Sequence, residues 1–198
     1  MVTLYHSPQT RSASIVWLLE ELEVPYQTKL VDFRRSDGTG KRDPANPHPH
    51  GKVPALVDGD DTVFEGSAIA LYLTDKYRKK TMGPAVGEPQ RGEYLSWLAY
   101  RPGVMEPALI SRRFDIKHVY GAMGWAPADE VEELINAHLA TRKYFLGEDF
   151  SALDILLGGG VHFMVMAKLL KETPVLKAYT ARVVDRPAFR KMMELDKK

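Results

Sequence analysis

Residues 54–65 read PALVDGDDTVFE, two short apolar runs, PALVD and TVFE, separated by Gly59, Asp60 and Asp61. This is the strongest hairpin signal in the chain, since glycine and aspartate supply the turn conformations that join antiparallel strands. Pro54 narrows the choice. It has no amide hydrogen to give to a ladder, so it belongs at the start of a strand or on an exposed edge. Two arrangements satisfy this: a trans proline that begins a strand, and a cis Val53–Pro54 bond that turns the main-chain groups of Val53 towards solvent.

The flanking sequence builds a unit around that hairpin. VTLYH at 2–6 alternates as a half-buried strand, and SPQT follows as a loop. From Ser12, the spacing of Ile15, Leu18, Leu19 and Leu22 is that of an amphipathic helix, which Pro25 ends. YQTKLVDF at 26–33 reads as a second strand, parallel to the first because a helix separates them. A polar loop rich in Gly and Pro leads to the hairpin, and GSAIALYLTDKY at 66–77 returns to helical period. Residues 1–77 therefore form a small α/β unit.

Residues 78–90 carry two prolines, two glycines and no period, and read as a linker. Residues 91–198 read as all-helical. RPG at 101–103 interrupts or bends the first of these helices, and the next spans 127–145. SALD at 151–154 matches a capping box, with Ser151 and Asp154 placed to satisfy orphan amides before the apolar run Ile155–Ala167, expected to be a buried core helix. Helices at 174–185 and 187–195 close the chain.

Composition limits the chemistry. There is no cysteine, which removes disulfides, thiolate metal sites and a cysteine nucleophile. With 27 basic and 26 acidic residues intermingled, no footprint for nucleic acid or an anionic membrane stands out. The first ten residues lack the basic start and apolar run of a secretory signal, which leads to the expectation of a cytoplasmic protein without membrane partners. His48 and His50 are two apart, but a metal site needs three or four ligands and no third is evident, so no metal is expected. His162 reads as a hydrogen-bonded core histidine, and Met192 and Met193 as packing.

GKVPALVDGDDTVFEGSAIALYL, with VWLLEELEVPYQ at 16–27 and FLGEDFSALDILLG at 145–158, closely resembles the glutathione transferase family. Those segments occur in the right order across both parts of the chain. The resemblance implies a thioredoxin-like N-terminal domain with a cis proline after Val53, followed by a helical-bundle domain that builds the pocket for an apolar electrophile. It also implies glutathione as co-substrate, a homodimer, and conjugation of the glutathione thiolate to a small electrophile.

The same resemblance assigns roles. The extended tripeptide would pair with the main chain of Val53 beside Pro54, as an added strand segment. Lys52 would meet one of its carboxylates, and Arg11 and His50 would flank it. The family has an acid at the Glu65 position for the ligand's ammonium group and a serine next to it for the α-carboxylate. Here that serine is Gly66, leaving the Gly66 amide and Ser67. The thiolate needs a hydroxyl or amide donor. Gln9 stands where serine-type members carry their serine, which makes Thr10 the natural donor, with Ser7, Ser12 and Tyr5 open and Ser12 read as a plain helix cap before it is read as a catalyst. Arg11 replaces the cysteine of cysteine-type members. Tyr100, Met105, Arg112, Arg113 and Tyr120 fall where the family builds its second pocket.

Two other readings share the architecture. Gly66 and Gln9 support a non-catalytic glutathione-binding or protein-interaction module. A glutathione-dependent peroxidase or isomerase would differ in its electrophile.

Overall fold

The computed structural model describes residues 1–79 and 82–197. They form two compact units, Met1–Lys79 with Arg186–Lys198 and Lys80–Asp185. In the first, strands β1 (Val2–His6), β2 (Tyr26–Leu30), β3 (Ala55–Asp58) and β4 (Asp61–Phe64) form one sheet in the order β2-β1-β3-β4, with helices α1 (Ala13–Leu22) and α2 (Gly66–Lys76) between strands and after them. β1 runs parallel to β2, and β3 runs antiparallel to both β1 and β4. This mixed four-stranded arrangement is thioredoxin-like, and a helical part follows it.

Each element follows from its residues. In β1, Val2 and Leu4 are buried while Thr3 and Tyr5 lie half-exposed, the two-residue period of a strand with one face on a core. β3 is an inner strand, so the edge alternative for Pro54 does not apply: Pro54 sits just before Ala55, the first ladder residue, and the Val53–Pro54 bond is cis. β2 stops at Leu30, short of the expected Phe33. Beyond it the Asp32 carboxylate accepts from the amides of Phe33 and Lys41 and from Arg35, folding the chain into a loop.

α1 buries Ile15, Val16, Trp17, Leu18 and Leu19 almost completely. Part of its cover comes from α8 (Pro187–Leu195), whose Phe189 meets the Trp17 ring edge-on at 4.9 Å. Arg186 donates to both carboxylate oxygens of Glu21, at 2.5 and 2.8 Å. This places residues 186–197 with the first unit, although their helical period alone reads as a continuation of the helical part.

Of the expected linker 78–90, Lys80 and Thr81 lie outside the described residues, and 82–90 form bends and turns. The second unit contains α3 (Arg91–Tyr100), α4 (Glu106–Arg113), α5 (Ala128–Ala140), α6 (Gly159–Met166) and α7 (Pro174–Val184). RPG does not break the first helix; a π-helical turn over Arg101–Met105 absorbs Pro102 and carries the chain into α4. α5 ends at Ala140 instead of running to Phe145. A turn replaces its expected end, and the Phe145 amide donates to Asp154.

Asp154 is the polar centre of this unit. Its carboxylate accepts from the amides of Phe145 (3.0 Å) and Ser151 (2.9 Å), the Ser151 hydroxyl (3.1 Å) and the Tyr179 hydroxyl (2.8 Å), while Ser151 Oγ accepts from Leu153 N–H. The capping box is thus realised. Gly158 one turn on is required by the same packing, since a Cβ there would lie 2.4 Å from the Tyr179 hydroxyl. The apolar run is buried only to Val161; Phe163 and Met166 emerge, 44% and 69% exposed, so the expected core helix is a core helix in its first half alone.

Candidate functional site

The ladder brings three segments to one end of the sheet. Tyr5 pairs with Ala55 and Ala55 with Phe64. The loop that leaves β1 after His6, the residues Val53 and Pro54 that lead into β3, and Glu65 that follows β4 therefore lie at the same end of the sheet. β3 pairing begins at Ala55, so Val53 lies outside the ladder.

A buried polar loop supports the approach to Val53. Asn46 donates through its side-chain amide to the Lys52 carbonyl (2.9 Å) and accepts from the His48 amide (3.0 Å). His48, 2% exposed, accepts at Nδ1 from the His50 amide at 3.1 Å. Its hydrogen therefore sits on Nε2, 3.7 Å from a carboxylate oxygen of Glu65. Burial lowers the His48 pKa, with Glu65 pulling the other way. Lys52 and His50 are themselves exposed, and Val53 is half-buried. Read by spacing, His48 and His50 suggest only a weak metal pair; the structure makes His48 a brace between the loop and Glu65.

Glu65 stands at the N-cap of α2 with φ 70° and ψ 126°, a conformation that favours glycine and that a side chain holds only where its surroundings impose it. Its side chain is two-thirds exposed. Gly66 and Ser67 open α2, and the amides of a helix's first turn point out of its N-terminal end. A Cβ at Gly66 meets nothing within 4 Å, so a serine fits there.

The loop after β1 is tightly wired. Thr10 donates to the Ser7 carbonyl at 2.7 Å, the Thr10 and Ser12 hydroxyls are 2.7 Å apart, and Ser12 Oγ is 2.7 Å from His6 Nδ1. Ser12 occupies the N-cap of α1, but its hydroxyl makes no cap bond and is fully buried, so the plain-cap reading is corrected: His6, Ser7 and Thr10 hold that group instead. Ser7 is buried too, whereas Thr10 is half-exposed. Of the three hydroxyls, Thr10 alone combines membership of the network with open surface. Gln9, at φ 58°, donates its amide to Asp196 Oδ2 at 3.0 Å. Arg11 is exposed.

The residues expected for a second pocket differ in exposure. Met105 is fully buried and belongs to the core of the second unit, with no surface for a ligand. Tyr100 is half-buried at the end of α3, and Arg113 is exposed at the end of α4. Tyr120 is 73% exposed and donates to Glu130. Arg112 is tied to Glu132 (2.7 Å) and to the Leu169 carbonyl. Sequence reading missed His6, Asn46 and Asp196. A histidine closing a strand before a Ser/Thr-rich loop was the available signal for the first, and none existed for Asp196.

Comparison with known proteins agrees with this geometry. The family model "Glutathione S-transferase, N-terminal domain" matches residues 1–75, the segment that holds Thr10, Val53 and Glu65. Glutathione S-transferase 3 of Schizosaccharomyces pombe is 30% identical over 210 positions, covering 96% of this chain and 86% of that protein. Glutathione S-transferase F10 of Arabidopsis thaliana is 27% identical, with 97% and 96% covered. Among solved structures, a glutathione S-transferase of Actinobacillus pleuropneumoniae superposes with a TM-score of 0.73 at 25% identity, covering 100% of this chain and 93% of that one. A sphingomonad glutathione S-transferase complexed with glutathione gives 0.74 at 25% identity, with 98% of each chain covered. Sequence and fold agree along nearly the full length: the chain belongs to the glutathione S-transferase family.

Proposed function

We propose that this chain binds glutathione at the end of its sheet and presents the thiolate to a small apolar electrophile. The observation that supports the reading is that Val53, Glu65 and the loop holding Thr10 adjoin the last paired residues, Ala55, Phe64 and His6, at one end of the sheet. Val53, outside the ladder, offers main-chain groups to an extended peptide. Lys52, Arg11 and His50 supply positive or donor groups at the exposed rim, Glu65 meets the ammonium, and the α2 amides at Gly66 and Ser67 receive the α-carboxylate. The thiol then lies towards Thr10.

Catalysis on this reading needs no covalent enzyme intermediate. A hydroxyl aimed at sulfur favours its charged form, and the site holds the nucleophile beside its partner. The thiol loses its proton to solvent; a carbon–sulfur bond forms as the leaving group departs with its electron pair. Thr10→Ala is expected to lower kcat/KM for an aryl halide roughly ten- to hundredfold, the worth of one hydrogen bond to a charged group, while glutathione affinity moves much less. Equal loss of both would assign Thr10 to binding instead. We further propose a cytoplasmic homodimer, to be checked by light scattering and localisation.

Gly66 favours a second reading, a glutathione-binding module without turnover, because the family's carboxylate hydroxyl is missing at that position. Glutathione affinity without conjugation of any aryl halide, hydroperoxide or activated double bond would establish it.

A further inference from the structure

Three short contacts run in a line through the loop after β1: His6 Nδ1 to Ser12 Oγ, Ser12 Oγ to Thr10 Oγ1, and Thr10 Oγ1 to the Ser7 carbonyl, each 2.7 Å. The last group accepts only. Each contact needs one hydrogen, and the two hydroxyls supply two. Ser12 Oγ also lies 3.2 Å from the Ser7 carbonyl, but both 2.7 Å contacts of Thr10 are filled only if Thr10 donates to Ser7 O and Ser12 donates to Thr10, and the third hydrogen then comes from His6 Nδ1. The remaining lone pairs fit this assignment, since Ser12 Oγ also accepts from the Ser7 amide (3.3 Å) and Thr10 Oγ1 from the Ser12 amide (3.2 Å). Reversing the direction at His6 would leave two oxygens 2.7 Å apart with no hydrogen between them, or the Ser7 carbonyl without its donor.

The other edge of the ring explains how that tautomer is held. Nε2 lies 3.4 Å from Asp196 Oδ1, which has no hydrogen-bond partner among the described residues, while Oδ2 is taken by the Gln9 amide at 3.0 Å. A bare Nε2 would face a bare carboxylate oxygen, so a proton held between them relieves the contact. Burial lowers the His6 pKa and raises that of Asp196, moves that converge on such sharing. Glu20, Glu23, Tyr26 and Lys191 line the same cavity as His6, but Lys191 is paired with Glu20 at 2.6 Å and Tyr26 donates to Glu20.

We propose that Asp196 and His6 are positioning residues that point the hydroxyl line outwards, so that Thr10 keeps its hydrogen for the thiolate instead of turning it back towards Ser12. When sulfur arrives, the Thr10 hydroxyl exchanges the Ser7 carbonyl for it, with Ser12 and His6 donating behind it and strengthening the bond through polarisation. The inference rests on the reading that Thr10 faces the sulfur. It ties the end of the chain to the chemistry, because Asp196 closes α8 and reaches the loop after β1.

The test has two arms. Nitrogen-15 NMR of the intact, ligand-free protein at neutral pH reads the His6 tautomer directly; a protonated Nδ1 is expected, and a bare Nδ1 with hydrogen only on Nε2 overturns the proposal whether or not glutathione binds. Ultraviolet titration of the bound glutathione thiolate is the second arm. His6→Phe is expected to raise the bound thiol's pKa by about one unit, a tenfold loss of thiolate at fixed pH, with Kd for glutathione changed less than about twofold. In Asp196→Asn, the amide oxygen can keep Gln9 while its NH2 group holds Nε2, so it should shift the thiol less than a third as far as Asp196→Leu; equal shifts overturn the role of Asp196. If Thr10→Val shifts the thiol while His6→Phe and Asp196→Leu leave it alone, the inference fails and the functional reading stands. If Thr10→Val leaves it alone, the functional reading itself has failed.

Discussion

At the scale of single residues, the site is a set of conventional groups in particular backbone settings. Glu65 is held at positive φ, Val53 stands off the ladder, and Gly66 has open space where a side chain fits. Gly66→Ser therefore adds a hydroxyl without a clash, and isothermal titration should show glutathione binding at least tenfold tighter, matching roughly 1.5–3 kcal/mol for a hydrogen bond to a charged group. An unchanged or weaker affinity would mean that the ligand's carboxylate does not lie there. Much at this scale was legible in the sequence, because Lys52 to Ser67 is contiguous and its motif carries the geometry with it. The state of Ser12 was not legible. Its hydroxyl is claimed by His6, six residues back, and the ring of His6 by Asp196, near the other end of the chain.

At the scale of elements, periodicity located the strands and helices, and side-chain bonds to the backbone set their ends. β2 stops where Asp32 captures amides, and α5 stops short of a turn that Asp154 holds. Such endings depend on groups up to nine residues away, beyond the reach of local hydrophobic period. The SALD motif was readable because its partners are three residues apart; the Tyr179 hydroxyl that completes it was not. Asp154→Ala leaves four buried donors without an acceptor and is expected to lower the stability of the helical unit by about 3–5 kcal/mol in denaturant unfolding. A loss below about 1 kcal/mol would show that water replaces the carboxylate.

At the scale of the whole molecule, chain order and packing order differ. The last helix continues the helical part in sequence, yet its Phe189 and Arg186 complete the cover of α1. Nothing in its own amphipathic period names that partner, so only tertiary contacts reveal it. Phe189→Ala should cost about 3 kcal/mol, the range for truncating a buried aromatic, and thermal unfolding of the full chain will read it. Acidity acts on both units. Burial lowers the pKa of His48, His138 and His162 below 6.5. The unfolded chain thus takes up protons on these rings at a higher pH than the folded one. Their contribution to stability is complete above about pH 6.5 and is lost as pH falls through the lower folded values, so Tm should drop by a few degrees between about pH 7.5 and 5. A Tm that rises over that interval would contradict the assignment.

We propose that a thiol tripeptide docks where β1, β3 and α2 converge. Amide chemical-shift mapping during addition of glutathione will locate it. The largest shifts are expected on residues 7–12, Val53 and 65–67. Shifts concentrated elsewhere, or none at millimolar glutathione, would contradict it.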